Sequence, residues 1–142
     1  MSQSLFNLPR RKVLEVGTGC GYQTSVLAGL GEEIYTIERV EGLLPGAKER
    51  FKALALRNVT TRLGDGYEGW ERFAPFDGII VTAAPPEVPG PLIEQLAEGG
   101  RLVMPVGDAQ DQRIMTIDRI DGQIHKAVGE PVRFVPMLRG LA

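Results

Sequence analysis

Short apolar runs alternate along the chain with segments whose apolar residues recur at helical spacing. Five of the runs predict strands: Lys12–Val16, Glu33–Ile37, Asn58–Leu63, Phe76–Thr82 and Arg101–Val106. The helical spacing predicts three helices: Tyr22–Leu30, Leu43–Leu56 and the short Pro91–Leu96, which we expect Gly99-Gly100 to stop. Alternating strands and helices are typical of a parallel sheet covered by helices. The strands are almost continuously apolar, which agrees with burial on both faces.

Two further strands close the predicted sheet. Gln112–Ile120 and Ala127–Val135 lie on either side of Asp121-Gly122, a residue pair typical of a hairpin turn. The sequence therefore predicts an α/β domain whose last two strands are antiparallel to each other.

Composition narrows the function classes. A length of 142 residues suits one domain, which we expect to span residues 1–142. The net charge of -2 argues against a dedicated nucleic-acid binder. One cysteine and one histidine argue against a disulfide framework and against a metal site. Because no run of 18 apolar residues and no signal peptide is present, we expect no membrane span and a cytoplasmic location.

A glycine-rich turn follows the first predicted strand and opens the first helix. It reads EVGTGCGY and places Gly17, Gly19 and Gly21 at every second position. Ligands of open α/β sheets bind at the carboxyl ends of strands, where glycine lets the backbone come close. The dinucleotide pattern G-x-G-x-x-G is not met, and the Glu15 carboxylate would repel a pyrophosphate. An acid there suits an ammonium and a sulfonium, which favours S-adenosylmethionine over NAD as the ligand.

Polar residues also follow the second and third strands. Glu38 ends the second strand, where an acid can accept hydrogen bonds from ribose hydroxyls. Asp65-Gly66 follows the third strand, and we expect it beside the adenine. A solvated surface glutamate and a plain Asp-Gly turn are the alternative readings.

Six stretches, in this order, resemble the protein-L-isoaspartate O-methyltransferase family: VLEVGTGCGYQTSVLA, IERVEGL, GDGYEGW, APFDGIIVTAAPPEVP, LAEGGRLVMPVG and VRFVP. The first is typical of class I methyltransferases in general, whereas GDGYEGW, IIVTAAPPEVP and VRFVP are more specific to this family. The resemblance runs from about Lys12 to Leu138. It implies the class I methyltransferase fold: a Rossmann-like, doubly wound, mostly parallel seven-stranded sheet with one antiparallel strand near the C-terminal edge. The order of the last two strands stays open.

The resemblance also implies a reaction. The family transfers a methyl group from S-adenosylmethionine to the free α-carboxyl of L-isoaspartyl residues in damaged proteins, and S-adenosylhomocysteine is the product. The ester cyclises to a succinimide, whose hydrolysis restores some normal aspartate. The expected partners are isoaspartyl proteins or peptides. Since a carboxylate with a reference pKa near 4 is ionised at neutral pH, the reaction needs no general base.

The residues that match the family's motifs fall into two groups. Those expected to bind the cofactor are Glu15, Gly17, Thr18, Gly19, Gly21, Glu38, Asp65, Gly66 and Thr82. Those expected to line the substrate are Ala83, Ala84, Pro85, Val135 and Pro136.

One family feature has no match in the sequence. Only about eleven residues precede the first strand, and none resembles the family's Gln-Thr-Ile-Ser-type segment, whose serine and threonine face the cofactor and the acceptor. We therefore expect residues 1–11 to form a short leader, no catalytic residue to carry over, and cofactor binding to survive better than turnover. We also expect the sheet face at Ile79, Val81 and Leu102 to lack a cover, which would favour self-association.

Three alternatives stay open. The first is a methyltransferase with another, small acceptor. The second is an S-adenosylmethionine-binding module without turnover, which the unmatched serine segment favours. The third is an NAD-binding domain, which Glu15 and Tyr22 disfavour.

Overall fold

The computed structural model describes residues 12–30 and 32–142, so the leader expected at residues 1–11 lies outside the described residues. Seven strands form one sheet: β1 Lys12–Val16, β2 Glu33–Glu38, β3 Val59–Leu63, β4 Phe76–Val81, β5 Leu96–Gly107, β6 Gln112–Ile120 and β7 Gln123–Val132. Their order across the sheet is β3-β2-β1-β4-β5-β6-β7. The strand order reverses between β1 and β4, which places the carboxyl ends of both strands at a topological switch point.

Strand direction confirms the predicted fold class. Strands β1 to β5 are mutually parallel. Strand β6 pairs antiparallel with both β5 and β7, so within this sheet β6 runs opposite to the other strands. The order of the last two strands, left open by the sequence, is β6 inside and β7 at the edge.

Helices and short turns cover both faces of the sheet. The helices are α1 Tyr22–Gly29, α2 Leu44–Ala53 and α3 Gly90–Glu94, and single 3-10 turns occur at Glu41–Leu43, Gly66–Glu68 and Glu71–Phe73. On one face, the side chains of β1, β2, β4 and β5 pack with α1: Val13, Leu27, Ala28, Ile34, Ile80 and Val103. On the other face, a larger cluster packs under α3 and the 3-10 turns: Leu14, Val16, Ile37, Trp70, Phe76, Leu92 and Met104, among others.

Strand β5 starts earlier than its sequence pattern predicted. It begins at Leu96, and α3 ends at Glu94, so Gly99 and Gly100 lie inside β5 and do not stop a helix. The register between β4 and β5 shifts at this point. A Cβ on Gly100 would lie only 2.8 Å from the Ala97 carbonyl oxygen, and Gly99 has φ +77°. The two glycines therefore accommodate a bulge, which is the other common role of glycine in a strand.

The final hairpin lies where its turn residues predicted it. Ile120 pairs with Gln123 across the turn. Asp121 and Gly122 have φ values of +53° and +74°, the left-handed conformation that a two-residue hairpin turn requires. Strand β7 ends at Val132, however, so the prediction that it runs from Ala127 to Val135 is wrong and Val135 lies in an irregular segment.

The expected uncovered face is absent at the residues named for it. Ile79, Val81 and Leu102 are fully buried, because Leu92 of α3, Trp70 and Met137 belong to the same packed cluster. The prediction of an exposed apolar patch at these residues is therefore wrong. Self-association stays a prediction, but this patch no longer supports it. None of the helices in the described ranges has the length or apolarity that a membrane crossing requires.

Candidate functional site

A cavity of about 390 Å³ opens at the carboxyl ends of β1, β2, β3 and β4. This is within the range of small-molecule sites, about 300–1,000 Å³. Its walls come from the four strand ends and from a segment near the end of the chain: Val16, Gly17, Gly19, Ile37, Glu38, Arg39, Val40, Leu43, Gly64, Gly66, Thr82, Ala83, Val135, Pro136, Met137 and Leu138.

The glycine loop forms the wall at the end of β1. Gly17 has φ +104°, and its amide donates to the carbonyl of Ile37 on β2 at 2.8 Å. A Cβ on Gly17 would collide with the hydroxyl oxygen of Thr82 at the end of β4. Gly19 also has positive φ, and a Cβ there would meet nothing within 4 Å. Gly17 is therefore needed for close packing against Thr82 as well as for its positive φ, whereas at Gly19 the left-handed backbone conformation alone favours glycine.

Glu38 supplies a buried carboxylate to the cavity. Its side chain is 5% exposed. One oxygen accepts the Gly19 amide at 2.8 Å, and the other accepts the Val40 amide at 3.0 Å. A carboxylate has about four acceptor positions, so each oxygen can still accept a further hydrogen bond. The two amides fix the orientation of the carboxylate, which can then bind a pair of hydroxyl groups.

The Asp65-Gly66 turn lies beside the same cavity, but its two residues differ in role. Asp65 accepts the Tyr67 amide at 2.9 Å with one oxygen and the Gly140 amide at 3.0 Å with the other. Gly66 lines the cavity, and a Cβ there would collide with Val16. Asp65 is thus the cap of a turn and an anchor for the end of the chain, while Gly66 lets the turn pack closely against Val16 in the cavity wall.

Residues 133–142, which we call the C-terminal strap, supply one wall of the cavity through Val135, Pro136, Met137 and Leu138. The Ala84 amide donates to the Val135 carbonyl at 2.8 Å, and the Met137 amide donates to the Ala84 carbonyl at 2.9 Å. The Tyr67 hydroxyl donates to the Met137 carbonyl at 2.9 Å. These contacts hold the strap across the ends of β3 and β4.

A second cavity of about 300 Å³ adjoins the first. Its walls come from the end of β4, the β5–β6 connection and the strap: Ala84, Gly107, Asp108, Ala109, Gln112, Arg133, Phe134, Val135 and Pro136. Val135 and Pro136 line both cavities, so one strap segment separates them. The Val135 side chain is 68% exposed and available for contact.

The side chains of Glu15 and Thr18 lie beneath the glycine loop, and neither residue lines the cavity. The Glu15 carboxylate is 1% exposed and accepts hydrogen bonds from the hydroxyls of Thr24 on α1 and Thr36 on β2. Burial raises the pKa of Glu15 from its usual 4.5 to about 7, and the nearby Glu38 charge adds to the rise, while the two hydroxyls oppose it. The Glu15 side chain points away from the cavity, into the face of the sheet that α1 covers. It is therefore not placed for the expected direct contact with a ligand ammonium.

The structure brings most of the expected residues to one place. Eight line the first cavity: Gly17, Gly19, Glu38, Gly66, Thr82, Ala83, Val135 and Pro136. The others support its walls: Glu15, Thr18, Gly21, Asp65, Ala84 and Pro85. Gly21 has φ +86° and lies against Phe51 of α2. The Pro85 carbonyl accepts the Gly107 amide at 2.9 Å.

Sequence reasoning missed several residues of the cavity wall: Ile37, Arg39, Val40, Leu43, Met137 and Leu138. Most are apolar, and all but Leu43 lie within two residues of Glu38 or Pro136 along the chain. Their proximity to predicted site residues was the available signal. Arg39 donates to the Gly140 carbonyl of the strap at 3.2 Å, and no local sequence pattern predicts this contact.

The lining of the first cavity fits a nucleoside. Glu38 presents carboxylate oxygens for vicinal hydroxyls, and Gly17, Gly19 and Gly66 line the cavity without side chains. Ile37, Val40 and Leu43 offer apolar contact for a flat ring. Within residues 12–30 and 32–142, no group of three or more potential metal ligands comes together.

Comparisons of sequence and of structure with known proteins point to the same family. The family model "Protein-L-isoaspartate(D-aspartate) O-methyltransferase" matches residues 1–142. A protein-L-isoaspartate O-methyltransferase of Pseudomonas aeruginosa (strain UCBPP-PA14) is 54% identical over 132 residues, which cover 93% of this chain and 63% of that relative. The chain therefore spans less than two thirds of the relative's length.

Two solved structures share the fold. A protein-L-isoaspartate O-methyltransferase superposes with a TM-score of 0.84 at 29% identity, covering 94% of this chain and 44% of that chain. A putative protein-L-isoaspartate O-methyltransferase from Plasmodium falciparum, crystallised in complex with S-adenosyl-L-homocysteine, gives a TM-score of 0.80 at 27% identity and covers 96% and 70% of the two chains.

Proposed function

Because the chain belongs to the protein-L-isoaspartate O-methyltransferase family, we propose that it binds S-adenosylmethionine in the first cavity and transfers its methyl group to an isoaspartyl carboxylate. The observation that carries the proposal is the cavity itself. It joins the glycine loop, the buried Glu38 carboxylate and the Gly64–Gly66 turn at the topological switch point of the sheet.

Three groups of this chain would hold the cofactor. The Glu38 carboxylate, oriented by the Gly19 and Val40 amides, would accept the two ribose hydroxyls. Gly66 would border the adenine together with the apolar wall. The loop at Gly17 and Thr82 would surround the methionine part. When bound, the cofactor supplies an electrophilic methyl group on a sulfonium.

The acceptor would lie across the strap. Val135 and Pro136 line both cavities, and Val135 is largely exposed, so a peptide in the second cavity can present a side group to the first. We propose that isoaspartyl proteins or peptides are the partners. Their carboxylate is already the nucleophile at neutral pH, so this chain need not take up a proton.

Catalysis by this chain would then rest on alignment, which contributes roughly 7–11 kcal/mol where two reactants are well oriented. The hydrogen bonds between Ala84 and the strap fix the wall between donor and acceptor. We propose that residues 1–142 act as one domain in this role. The cytoplasmic location and self-association stay predictions.

The test combines binding and turnover. Calorimetry with S-adenosylhomocysteine measures the cofactor site, and transfer of a radiolabelled methyl group to an isoaspartyl peptide measures the reaction, with the aspartyl isomer as the control substrate. We expect binding and label only on the isoaspartyl peptide. Binding without label would support a cofactor-binding module, and label on unrelated small carboxylates would support the small-acceptor alternative. Failure to bind S-adenosylhomocysteine would refute the proposal.

A further inference from the structure

A buried chain of hydrogen bonds links the glycine loop to Glu15. The hydroxyl oxygens of Thr18 and Thr36 are 2.7 Å apart. The Thr36 hydroxyl donates to one carboxylate oxygen of Glu15, also at 2.7 Å. The Thr24 hydroxyl of α1 donates to that same oxygen. Glu15, Thr18, Thr24 and Thr36 are all at most 5% exposed, so water does not compete for these bonds.

The number of available protons determines which hydroxyl donates in each of these hydrogen bonds. A hydroxyl has one proton to donate, and the Glu15 oxygen that faces Thr24 and Thr36 accepts from both, so a proton on the carboxyl group would lie on its other oxygen. Since Thr36 gives its proton to Glu15, its oxygen must accept the proton of Thr18. The order is therefore Thr18 to Thr36 to Glu15, and the carboxylate polarises both hydroxyls in the same direction.

The position of Thr18 connects this series of hydrogen bonds to the cavity. Thr18 lies between Gly17 and Gly19, which both line the first cavity, while its own side chain points away from it. The Gly19 amide is held from the other side by Glu38. Besides backbone bonds such as that from Gly17 to Ile37, side chains therefore hold the loop on two sides, Glu38 at the Gly19 amide and Thr36 at the Thr18 hydroxyl.

Glu15 is costly as a purely structural residue. Its side chain is 1% exposed, and its second oxygen has no hydrogen-bond partner among the described residues. A buried carboxylate that is only partly satisfied opposes folding. A benefit other than stability would explain its place in the α1 face.

We propose that Glu15 is a positioning residue that acts through Thr36 on Thr18 and so sets the geometry of the glycine loop for the cofactor. This inference rests on the proposed cofactor site and deepens it. Glu15 contacts no reacting group. Glu15 is connected to the cavity wall through the hydroxyls of Thr36 and Thr18, whereas its hydrogen bond to Thr24 connects it only to α1.

The chain offers a matched pair of variants. Thr36→Val and Thr24→Val remove a hydroxyl from the same oxygen of Glu15 and keep the β-branched shape, but only Thr36 continues to the loop. We expect Thr36→Val and Thr18→Val to weaken S-adenosylhomocysteine binding by about tenfold, and Thr24→Val by less than about twofold. Because the Thr18 and Thr36 bonds lie in series, the double variant should lose no more than about the larger single loss.

Serine variants keep the hydroxyl and test for rescue. Thr36→Ser and Thr18→Ser should restore most of the affinity, which a role in packing alone would not. Unfolding in urea is measured for every variant, so that affinity is compared at known stability. If Thr36→Val does not fold, Thr18→Val and Thr36→Ser carry the comparison with Thr24→Val.

A second readout does not use the cofactor. Amide hydrogen exchange of Thr18 and Gly19 in the free protein reports how firmly the loop is held. Thr36→Val should speed exchange at both amides by about tenfold, and Thr24→Val should leave them unchanged. If the wild type fails to bind S-adenosylhomocysteine while this exchange pattern holds, the cofactor assignment fails and the positioning role stands. Equal effects of Thr36→Val and Thr24→Val in both assays, or full affinity in Thr18→Val, would overturn the inference.

Discussion

The substitution Glu15→Gln should make the protein more stable at neutral pH. Burial raises the pKa of Glu15 from 4.5 to about 7, so between these values the folded protein retains a proton that the unfolded chain has released. Folding stability therefore falls as the pH rises from about 4.5 to about 7 and is constant above it. At about 1.4 kcal/mol per pH unit, the total loss amounts to about 3 kcal/mol. Glutamine is neutral throughout and escapes this loss.

Urea denaturation from pH 5 to 8 measures the difference, with the fluorescence of Trp70, the single tryptophan, as the probe. Relative to the wild type, Glu15→Gln should gain stability steadily over this range and level off near pH 7. Titrating groups that do not interact with Glu15 contribute equally to both proteins and cancel. The control Glu33→Gln removes an exposed carboxylate from β2 and separates the loss of a charge from the loss of a buried charge. Parallel pH curves for wild type and Glu15→Gln would refute the reasoning.

Three further predictions concern the cavity wall. Glu38→Ala should weaken S-adenosylhomocysteine binding about 10- to 100-fold, since each hydrogen bond to a charged acceptor contributes about 1.5–3 kcal/mol; equal calorimetric affinity would remove Glu38 from the site. Gly66→Ala should cost about 1–3 kcal/mol in urea unfolding, because its Cβ meets the buried Val16; an unchanged midpoint would contradict that contact. Tyr67→Phe should cost about 1 kcal/mol and speed exchange of the Met137 amide, as the strap loses a hydrogen bond; unaltered exchange would show that the bond does not hold the strap.

The fold was largely predictable because its signals are local. Apolar runs such as Phe76–Val81 indicate burial on both faces of a parallel sheet, and the pair Asp121-Gly122 indicates a hairpin turn at its own position. The errors occurred where distant partners decide the local structure. Gly99 and Gly100 resemble a helix stop, but the register between β4 and β5 makes them a bulge.

The candidate site divides in the same way. Gly17 and Glu38 were predictable, because strand ends of a parallel sheet meet at one edge. The position of Glu15 was not, since residues alternate in direction along β1 and charge alone does not tell which face a side chain takes. Arg39 and Met137 reach the cavity through contacts between the strap and the loops after β2, β3 and β4, and the sequence contains no periodicity that links these segments.

The C-terminal strap also determines when the site can exist during synthesis. Its bonds to Tyr67, Asp65 and Arg39 connect residues 70, 75 and 101 positions apart along the chain. A nascent chain therefore exposes the glycine loop and Glu38 well before the strap leaves the ribosome. Contacts of such long sequence separation form slowly, after the intervening sheet has assembled. A ligand of the first cavity would bind only once the strap is in place, so it would protect the folded chain from degradation without assisting the early steps of folding.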